Sequence, residues 1–523
     1  MIVQTLIKPG EYRDSVALML IARELTALPG VSDVSVVMGT PANKAVLQQA
    51  GMLTTDATTA TPNDLLIVVQ ARDAATARAA LDKAQQMLVQ KAVLAETSRA
   101  SRPRTIRSAI RATQDANVAV VSVPGQSAAA PAWDALRAGL HVLLFSDHVA
   151  LEDEIALKEY ARDHGLLLMG PGAGTAIING IGLGFANAAP RGNVGIVAAA
   201  GTGLQEVSTL IAQAGHGISQ GIGVGGRDVS EAVGGIMLLE GLKALQADPD
   251  TRVIVVVSKL PAASVTEKIL AQVGQSEKPT VLALMANSKF GIQNSKFAIP
   301  NSQFAIDLRE AAAIAVALAQ GERVDAARRR LAAEDRAIAA NARTLRRGLS
   351  ARQRYVRGLY SGGTLCEEAL RIWQASFGEV WSNAPLDPRF KLPDSNRSQE
   401  HSAIDLGEEE FTIGRPHPMI DNTLRVKRIL QEARDPTVAV IALDVVIGYG
   451  AHPDPASELA PAIVAARQIA AKRKRKLIVV ASVTGTESDP QRWSRQTRAL
   501  RKAGAVVVNS NAAAARLAGW VVR

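Results

Sequence analysis

The chain has 523 residues, close to half of them apolar and few aromatic, with a formal net charge of +10 at pH 7. This length exceeds what one core can organise, so about three or four domains are expected, and the dominance of Ala, Gly and Val suits parallel sheets covered by helices. No long apolar run and no basic-then-apolar leader is present, and the single cysteine, Cys366, excludes an internal disulfide. A soluble, unprocessed, cytoplasmic protein with no membrane span is therefore expected.

Residues 1–95 alternate strand (Ile2–Ile7), helix (Asp14–Leu28), strand (Val31–Met38), short helix (Ala42–Gly51), strand (Leu65–Gln70) and helix (Ala74–Leu88). Two βαβ-like halves of this size predict a ferredoxin-like sandwich. Residues 96–190 read as a Rossmann-like unit. Its helices are Arg104–Ala112, Ala130–Ala138 and Leu151–Asp163, and its strands Val118–Val123, Val142–Phe145 and Leu166–Met169, the last running into Gly170-Pro171-Gly172-Ala173-Gly174. Residues 191–320 continue the doubly wound pattern, with strands at Val194–Ala199, Val253–Val257 and Val281–Met285. The helices there are Leu204–Ala214, Val229–Ala247 and Ala311–Ala319. Residues 321–400 read as an arginine-rich helical segment broken at Ser361-Gly362-Gly363-Thr364, followed from 379 by a proline-containing linker. Residues 401–523 form a last open parallel unit, with strands Val438–Leu443, Leu477–Ala481 and Ala505–Val508 between helices Asn422–Ala433, Ala456–Lys472 and Ser488–Ala503. The fold class is α/β: several doubly wound parallel-sheet domains, Rossmann-like and flavodoxin-like, behind an N-terminal ferredoxin-like α/β unit.

The charge is unevenly placed. Between Gly321 and Arg357 eleven arginines stand against four acids (Glu322, Asp325, Glu334, Asp335), and Lys472–Lys476 (KRKRK) adds a second basic block. Nucleic-acid binding would want aromatic or recognition elements, and the arginine stretch offers only Tyr355, so no nucleic-acid partner is expected. A solvated basic helix or a contact with an acidic partner subunit is the expectation.

Chemistry concentrates at the glycine turns. A strand that passes through a glycine turn directly into a helix leaves the first helical N–H groups unpaired and aimed at whatever lies above the turn, which suits an anion. The stretch from Gly192 to Asp228 does this at Ala200-Gly201-Thr202-Gly203 and breaks again at Gly225-Gly226, with Arg227 beside it. In open parallel sheets ligands collect at strand C-termini, so Gly170 and Gly172, and in the last unit Gly448, Gly450 and Gly485, are further candidates for phosphate or another anion. A plain turn of small residues is the alternative at each. Of seven histidines, His141, His148, His164 and His216 stand beside helix ends or strand starts and read as structural, and His401 sits in a polar run. His417 and His452 lie in turns beside Asp421 and Asp454; His452 is taken as a proton-transfer candidate, a plain hydrogen-bonding role being the alternative. No Cys/His spacing and no HExxH is present, so no metal site is expected.

The segment GNVGIVAAAGTGLQEVSTLIAQAGHGISQGIGVGGRD (192–228) resembles the ligase domain of the succinyl-CoA synthetase alpha subunit, in which such a helix faces a phosphorylated histidine. Upstream, Asn117–Gly125, Ala138–Asp147 and Gly165–Gly172 keep that subunit's order and spacing, so the resemblance implies that 96–190 is its CoA-binding-like domain. The final unit resembles the C-terminal domain of the beta subunit, with Ala403-Ile404-Asp405-Leu406-Gly407 at its entry. Together with GLYSGGTLC (358–366), HPMID (417–421) and GYGAHPDPA (448–456), this fusion without an ATP-grasp segment is similar to the FdrA family of acyl-CoA synthetase-like proteins. That resemblance implies carbamoyl transfer between oxalurate and phosphate, as one subunit of an oxamate carbamoyltransferase in allantoin-nitrogen catabolism. Three departures from the synthetase pattern stand out. Its glutamate falls at Lys259, which is taken as a catalytic candidate. Its histidine loop is replaced by the repeat SKFGIQN, SKFAIPN, SQFAID (Ser288–Asp307), which has no histidine. Its CoA loop is replaced by Lys8-Pro9-Gly10-Glu11-Tyr12-Arg13, so CoA is not expected.

The leading expectation is a carbamoyl or acyl transferase subunit that uses phosphate or carbamoyl phosphate as substrate, with helix-terminal N–H groups and Arg227 facing the developing charge, no phosphohistidine, no certain cofactor, and partner subunits in a hetero-oligomer. An acyl-CoA synthetase working with a separate nucleotide-binding subunit is the alternative, and a non-catalytic scaffold the third.

Overall fold

The computed structural model describes residues 1–11, 15–96, 103, 105–113, 115–285, 299–412 and 415–523. It divides into two compact units: residues 1–115 with 122–124 and 408–421, and the remaining 116–121, 125–407 and 422–523. No helix among the described residues is long and apolar enough to cross a membrane.

In the first unit, strands β1 (Ile2–Lys8), β2 (Val31–Met38) and β3 (Leu65–Ala71) form an antiparallel sheet in the order β1-β3-β2. Strand β3 is central and apolar on both faces, which is why it reads as a continuous run rather than an alternation. Leu65, Ile67, Val69 and Ala71 pack with Leu18, Ile21 and Leu25 of α1 (Ser15–Thr26) and Ala77, Ala80 and Ala84 of α4 (Ala74–Glu96). Leu66 and Val68 point the other way, onto Leu47 of α2 (Pro41–Gln49) and Ala57 of α3 (Thr55–Thr59). The βαβ-β-α order and the 1-3-2 arrangement are those of a ferredoxin-like sandwich, without a fourth strand beside β1 among the described residues. Helices α5 (Ile106–Ala112) and, from the later stretch, α14 (Glu409–Thr412) belong to this unit.

The second unit contains three sheets. The smallest is parallel, β4 (Val118–Val121), β5 (His141–Leu144) and β6 (Leu168–Met169), with helices α6 (Ala129–Arg137) and α7 (Leu151–Asp163). The largest gathers β7 (Thr175–Ile178), β8 (Ile181–Gly184), β9 (Arg191–Ala198), β10 (Ile218–Gly223), β11 (Val253–Lys259), β12 (Thr280–Met285) and β13 (Ser302–Phe304) in the order β13-β12-β11-β9-β10-β7-β8. It is parallel except for the β7–β8 hairpin, which adds antiparallel at the β10 edge. Its helices are α8 (Gly201–Gln213), α9 (Ile236–Ala247), α10 (Ala263–Val273) and α11 (Leu308–Ala319), with α12 (Val324–Arg346) following.

The third sheet, β15-β14-β16-β17-β18, is parallel throughout: β14 (Tyr355–Tyr360), β15 (Ser402–Asp405), β16 (Val438–Val446), β17 (Ile478–Thr484) and β18 (Val506–Val508). Helices α13 (Gly363–Phe377), α15 (Thr423–Glu432), α16 (Pro455–Lys472), α17 (Trp493–Lys502) and α18 (Asn511–Val522) accompany it.

Two sequence expectations are corrected here. Residues 321–400 are not helical throughout: β14 lies inside them and stands between β15 and β16, so the last sheet begins at Tyr355. Nor is 379–400 a linker. Val380, Ser382, Asn383 and Leu392 are buried, Trp381 N–H donates to His401 O (2.8 Å) and Asn383 Nδ2 to Asp405 O (2.9 Å), which fastens the stretch along β15. The repeat Ser288–Asp307 lies outside the described residues up to 298.

Candidate functional site

The site is built where two strand-to-helix turns from different sheets meet. At the end of β9, Ala199 N–H donates to Val257 O (3.0 Å), and Ala200 is extended and has no capping side-chain bond. The first intrahelical bond of α8 is Leu204 N–H to Ala200 O (2.9 Å), so the N–H groups of Gly201, Thr202 and Gly203 are left to face outward. A Cβ on Gly203 would lie 2.9 Å from Val257 Cγ1 and 3.0 Å from Thr364 Cγ2, whereas one on Gly201 would meet only Thr175 Oγ1 at 3.7 Å. Glycine at 203 therefore permits close packing, and the space over Gly201 is open.

The second turn joins β14 to α13 through Ser361-Gly362. Gly362 also lacks a capping side-chain bond, and Cys366 N–H to Gly362 O (2.9 Å) is the first bond of the helix, leaving Gly363, Thr364 and Leu365 N–H groups outside the helical ladder. A Cβ on Gly362 would lie 2.8 Å from Thr202 Cγ2, so the two turns are in contact. Buried Asp444 fixes the inner side: its carboxylate accepts from Ser361 N–H (2.8 Å), Ser361 Oγ (2.9 Å) and Gly362 N–H (2.9 Å) and is paired with Arg425 (3.2 Å). This second turn was legible in sequence only as a helix break.

Lys259, at the end of β11, comes to the same place. Its Nζ is 3.9 Å from where a Cβ on Gly363 would stand and 3.7 Å from Glu367 Oε2, which also pairs with Arg371; the side chain is 44% exposed. Behind the turns, Asn511 joins the two helices: its N–H donates to Glu206 of α8 (2.8 Å), and its Nδ2 to Glu368 (2.8 Å) and Leu365 O (2.9 Å) of α13. Burial pushes both carboxyls up, Glu368 to about 8 with further help from Asp307. Burial likewise pushes the Cys366 thiol well above its ordinary value, which removes it as a thiolate nucleophile.

The other candidates divide. Gly226 borders the first turn, with only Ala199 O near a Cβ there, at 3.9 Å. Gly225, at φ 83, lies against Gly170, so the turns 170–172 and 225–226 stack on one another. Gly172 is already engaged, its N–H donating to Ser146 O (3.0 Å). Arg227 is spoken for as well: it pairs with Glu154 (2.7 Å) and donates to Val149 O (2.6 Å). That buried Glu154 also holds Lys158 (2.8 Å), which holds Asp228 (2.8 Å), so Arg227 orders the turn and its charge is largely compensated.

Gly448, Gly450, Gly485 and His452 form a separate group, and here the expectation of an anion seat is corrected. Gly448 N–H donates to Gln491 Oε1 (3.0 Å), and a Cβ on Gly450 would lie 3.0 Å from Phe185. Beside Gly485, the Asp489 carboxylate already takes Thr486 N–H (2.7 Å), Ala188 N–H (2.7 Å) and Asn187 Nδ2 (2.9 Å). An internal carboxylate fills the place an anion would take. His452 is buried, its Nε2 3.1 Å from Glu458 and its Nδ1 accepting Asp454 N–H (3.0 Å), which is a turn-locking role. His401 is stacked on Phe377 at 4.0 Å and pushed down to about 4 by burial and Arg357, so it stays neutral.

The CoA-ligase family model matches residues 359–521, that of a CoA binding domain 190–283, and that of the AllF heavy metal-associated domain 1–104. The CoA binding match thus falls on β9, α8, β10 and β11 rather than on 96–190. Over 513 residues, 98% of this chain and 97% of the relative, the chain is 42% identical to YahF of Escherichia coli K12. It is 27% identical over 168 residues to the succinate–CoA ligase alpha subunit of Methanothermobacter thermautotrophicus, covering 32% of this chain and 56% of that one. To the ADP-forming sulfoacetate-CoA ligase subunit SauD of Bilophila wadsworthia it is 28% identical over 152 residues, covering 28% and 50%. The alignments with these two ligase subunits span about half of their length. A solved structure of an acetyl-coenzyme A synthetase from Ca. Korarchaeum cryptofilum aligns over 77% of this chain and 82% of that one at 15% identity and a TM-score of 0.33. Residues 1–104 contain neither cysteine nor histidine, and no metal-holding His/Cys/Asp/Glu group occurs among the described residues, so this chain does not fit a heavy metal there. The chain belongs to the family of YahF and is built from succinyl-CoA synthetase-like CoA-ligase and CoA binding domains behind an AllF-type N-terminal domain.

Proposed function

We propose that the chain is an acyl-CoA-ligase-type enzyme subunit that seats the phosphate of an acyl phosphate at the meeting point of α8 and α13, the nucleotide being handled by a separate chain. The observation that carries this reading is the contact of two uncapped helix N-termini beside Lys259. Each N-terminus acts as roughly +0.5 charge, so the two together offer about +1 to a phosphate, and Lys259 adds an ammonium that Glu367 at 3.7 Å partly compensates. When a nucleophile attacks the acyl carbon, the C–O bond to phosphate breaks and phosphate departs with the electron pair. The two helix ends stabilise the charge that gathers on that oxygen. In the reverse direction bound phosphate is the attacking group, held in place by the same N–H donors.

CoA is the acceptor that the family models imply, and its diphosphate would need an open N–H cradle. At the end of β4, a Cβ on Gly125 would run into the Asp147–His148 backbone, at 2.7 Å from His148 C. At the end of β1, Gly10 N–H is already given to Asp64 (3.0 Å). Neither of these two turns offers such a cradle, and no step is routed through CoA. A second reading is FdrA-type carbamoyl transfer, in which the acyl phosphate is carbamoyl phosphate and the acceptor is an amide nitrogen such as that of oxamate. Residues 286–298, where the synthetase pattern places its histidine loop, contain no histidine, which supports direct transfer in both readings. The test is calorimetry of the purified chain with inorganic phosphate, acetyl phosphate and carbamoyl phosphate, followed by turnover with added nucleotide-binding partner plus CoA, or with oxamate. Phosphate-type binding weakened in Lys259→Ala is expected. No binding of any of the three ligands overturns the proposal, and the acceptor that turns over separates the two readings.

A further inference from the structure

We propose that the outer face of α12 and the basic block at 472–476 form one docking surface for an acidic segment of a separate protein chain. The two stretches are distant in sequence, and the fold joins them: Lys476 Nζ donates to Leu345 O (2.6 Å) and Arg347 O (2.8 Å), closing the C-terminal end of α12 against the block. Along α12, Arg329, Arg336 and Arg343 recur every seven residues and Arg347 follows immediately after the helix. A seven-residue step drifts only about 20° around a helix, so these guanidinium groups line one face over roughly 27 Å. Arg329, Arg336, Arg343, Arg347, Lys472 and Lys474 are exposed, and none has an ion pair among the described residues. Arg328 and Arg330, on neighbouring rows, are compensated by Glu310 (2.8 Å) and Glu322 (2.8 Å). Uncompensated charge thus follows the outward track, with Arg346 beside its C-terminal end, while Ala327 and Ala342 bury the inner side.

The chemistry of the surface selects its occupant. Stacking of bases needs a free aromatic ring, and the nearby Tyr355 ring is covered by the edge of His401 at 5.3 Å and by Arg357 at 5.4 Å. A membrane surface would want several exposed large apolar side chains, and beside the block there is Val464. That residue helps line a notch of about 390 Å³ with Arg467, Ala471, Arg475 and Leu477, room for one apolar anchor flanked by cations. A helix carrying acids at the same heptad spacing and a single leucine or similar residue fits both features. A second copy of this chain, itself at +10, does not. The inference is independent of the phosphate site, since none of these residues touches either turn. Such a surface governs encounter and orientation and is screened by salt.

The test titrates the full chain with a labelled helical peptide that carries glutamates at heptad spacing and one leucine, in low and physiological salt. Binding is expected, weakening about tenfold as salt rises. The reversals Arg336→Glu, Arg343→Glu and Arg347→Glu together should cost at least about tenfold. Three reversals elsewhere, Arg78→Glu, Lys83→Glu and Arg498→Glu, carry the same net charge and should leave affinity within about twofold. Far-ultraviolet circular dichroism with thermal melting checks that each variant is folded. No binding, equal loss in both sets of variants, or tighter binding to a DNA duplex or to phosphatidylglycerol vesicles than to the peptide overturns the proposal.

Discussion

Replacing Gly362 by alanine tests whether the two turns touch. At φ −112 and ψ 119 the backbone accepts alanine without strain, and the substitution alone would gain about 0.4–1 kcal/mol by restricting the unfolded chain. Against this, the new Cβ would lie 2.8 Å from Thr202 Cγ2 and 3.0 Å from Thr202 Cβ and Oγ1. Overpacking of this kind costs about 1–3 kcal/mol, so a net loss of roughly 0.5–2 kcal/mol is expected. Thr202→Gly removes every atom in the clash. By itself it should cost about 1–2 kcal/mol through helix propensity and the lost buried methyl. Combined with Gly362→Ala it should be milder than the sum of the two by about 1–2 kcal/mol. All five tryptophans lie in the second unit, so tryptophan fluorescence in urea follows that unit alone. Additivity of the two substitutions within about 0.5 kcal/mol would refute the contact and with it the shared mouth.

Lys259→Ala should weaken phosphate binding by about 5–30-fold, or 1–2 kcal/mol, and leave the urea midpoint unchanged, because the side chain is half-exposed and screened; calorimetry reads the first and tryptophan fluorescence the second. Asn511→Leu should destabilise the second unit by about 2–4 kcal/mol, since the Glu368 carboxyl and Leu365 O each lose the buried Nδ2 donor while the backbone N–H to Glu206 is kept, as measured by the same urea transition. Glu368 has a folded pKa raised to about 8, so its neutral form is the one the fold favours: its contribution is whole below the unfolded value near 4.5 and is lost as pH rises through 8. Glu368→Gln should therefore flatten the fall in stability across that window, and an unchanged slope counts against the buried neutral acid. His452→Gln should leave phosphate affinity unchanged, since its ring is occupied by Glu458 and Asp454.

The first turn was legible because everything that makes it is local: an apolar strand, a glycine break and an amphipathic helix within one short stretch. Its partner was not, because β14 (YVRGLY) is short and carries Arg357, a charge that pattern reading places outside a sheet. That arginine is buried against Glu432 (3.2 Å) and Asp435 (3.1 Å), acids far along the chain, which no periodicity reveals. The turns at Gly448 and Gly485 were visible as turns. What sequence could not show is that Gln491 and Asp489 fold back to take their N–H groups. Prolines at 385, 388 and 393 suggested a linker, yet the backbone there finds partners on β15 and is buried with it. The basic surplus was plain in composition, and only the fold shows which arginines remain uncompensated.

The central claim is that phosphate sits where α8 and α13 meet. A crystal of the full chain grown with millimolar phosphate tests it most directly. The account predicts tetrahedral density within hydrogen-bond distance of the N–H groups of Gly201–Gly203 and Gly363–Leu365 and close to Lys259. Density at the Gly448 or Gly485 turn instead, or an empty mouth at saturating phosphate, would contradict it.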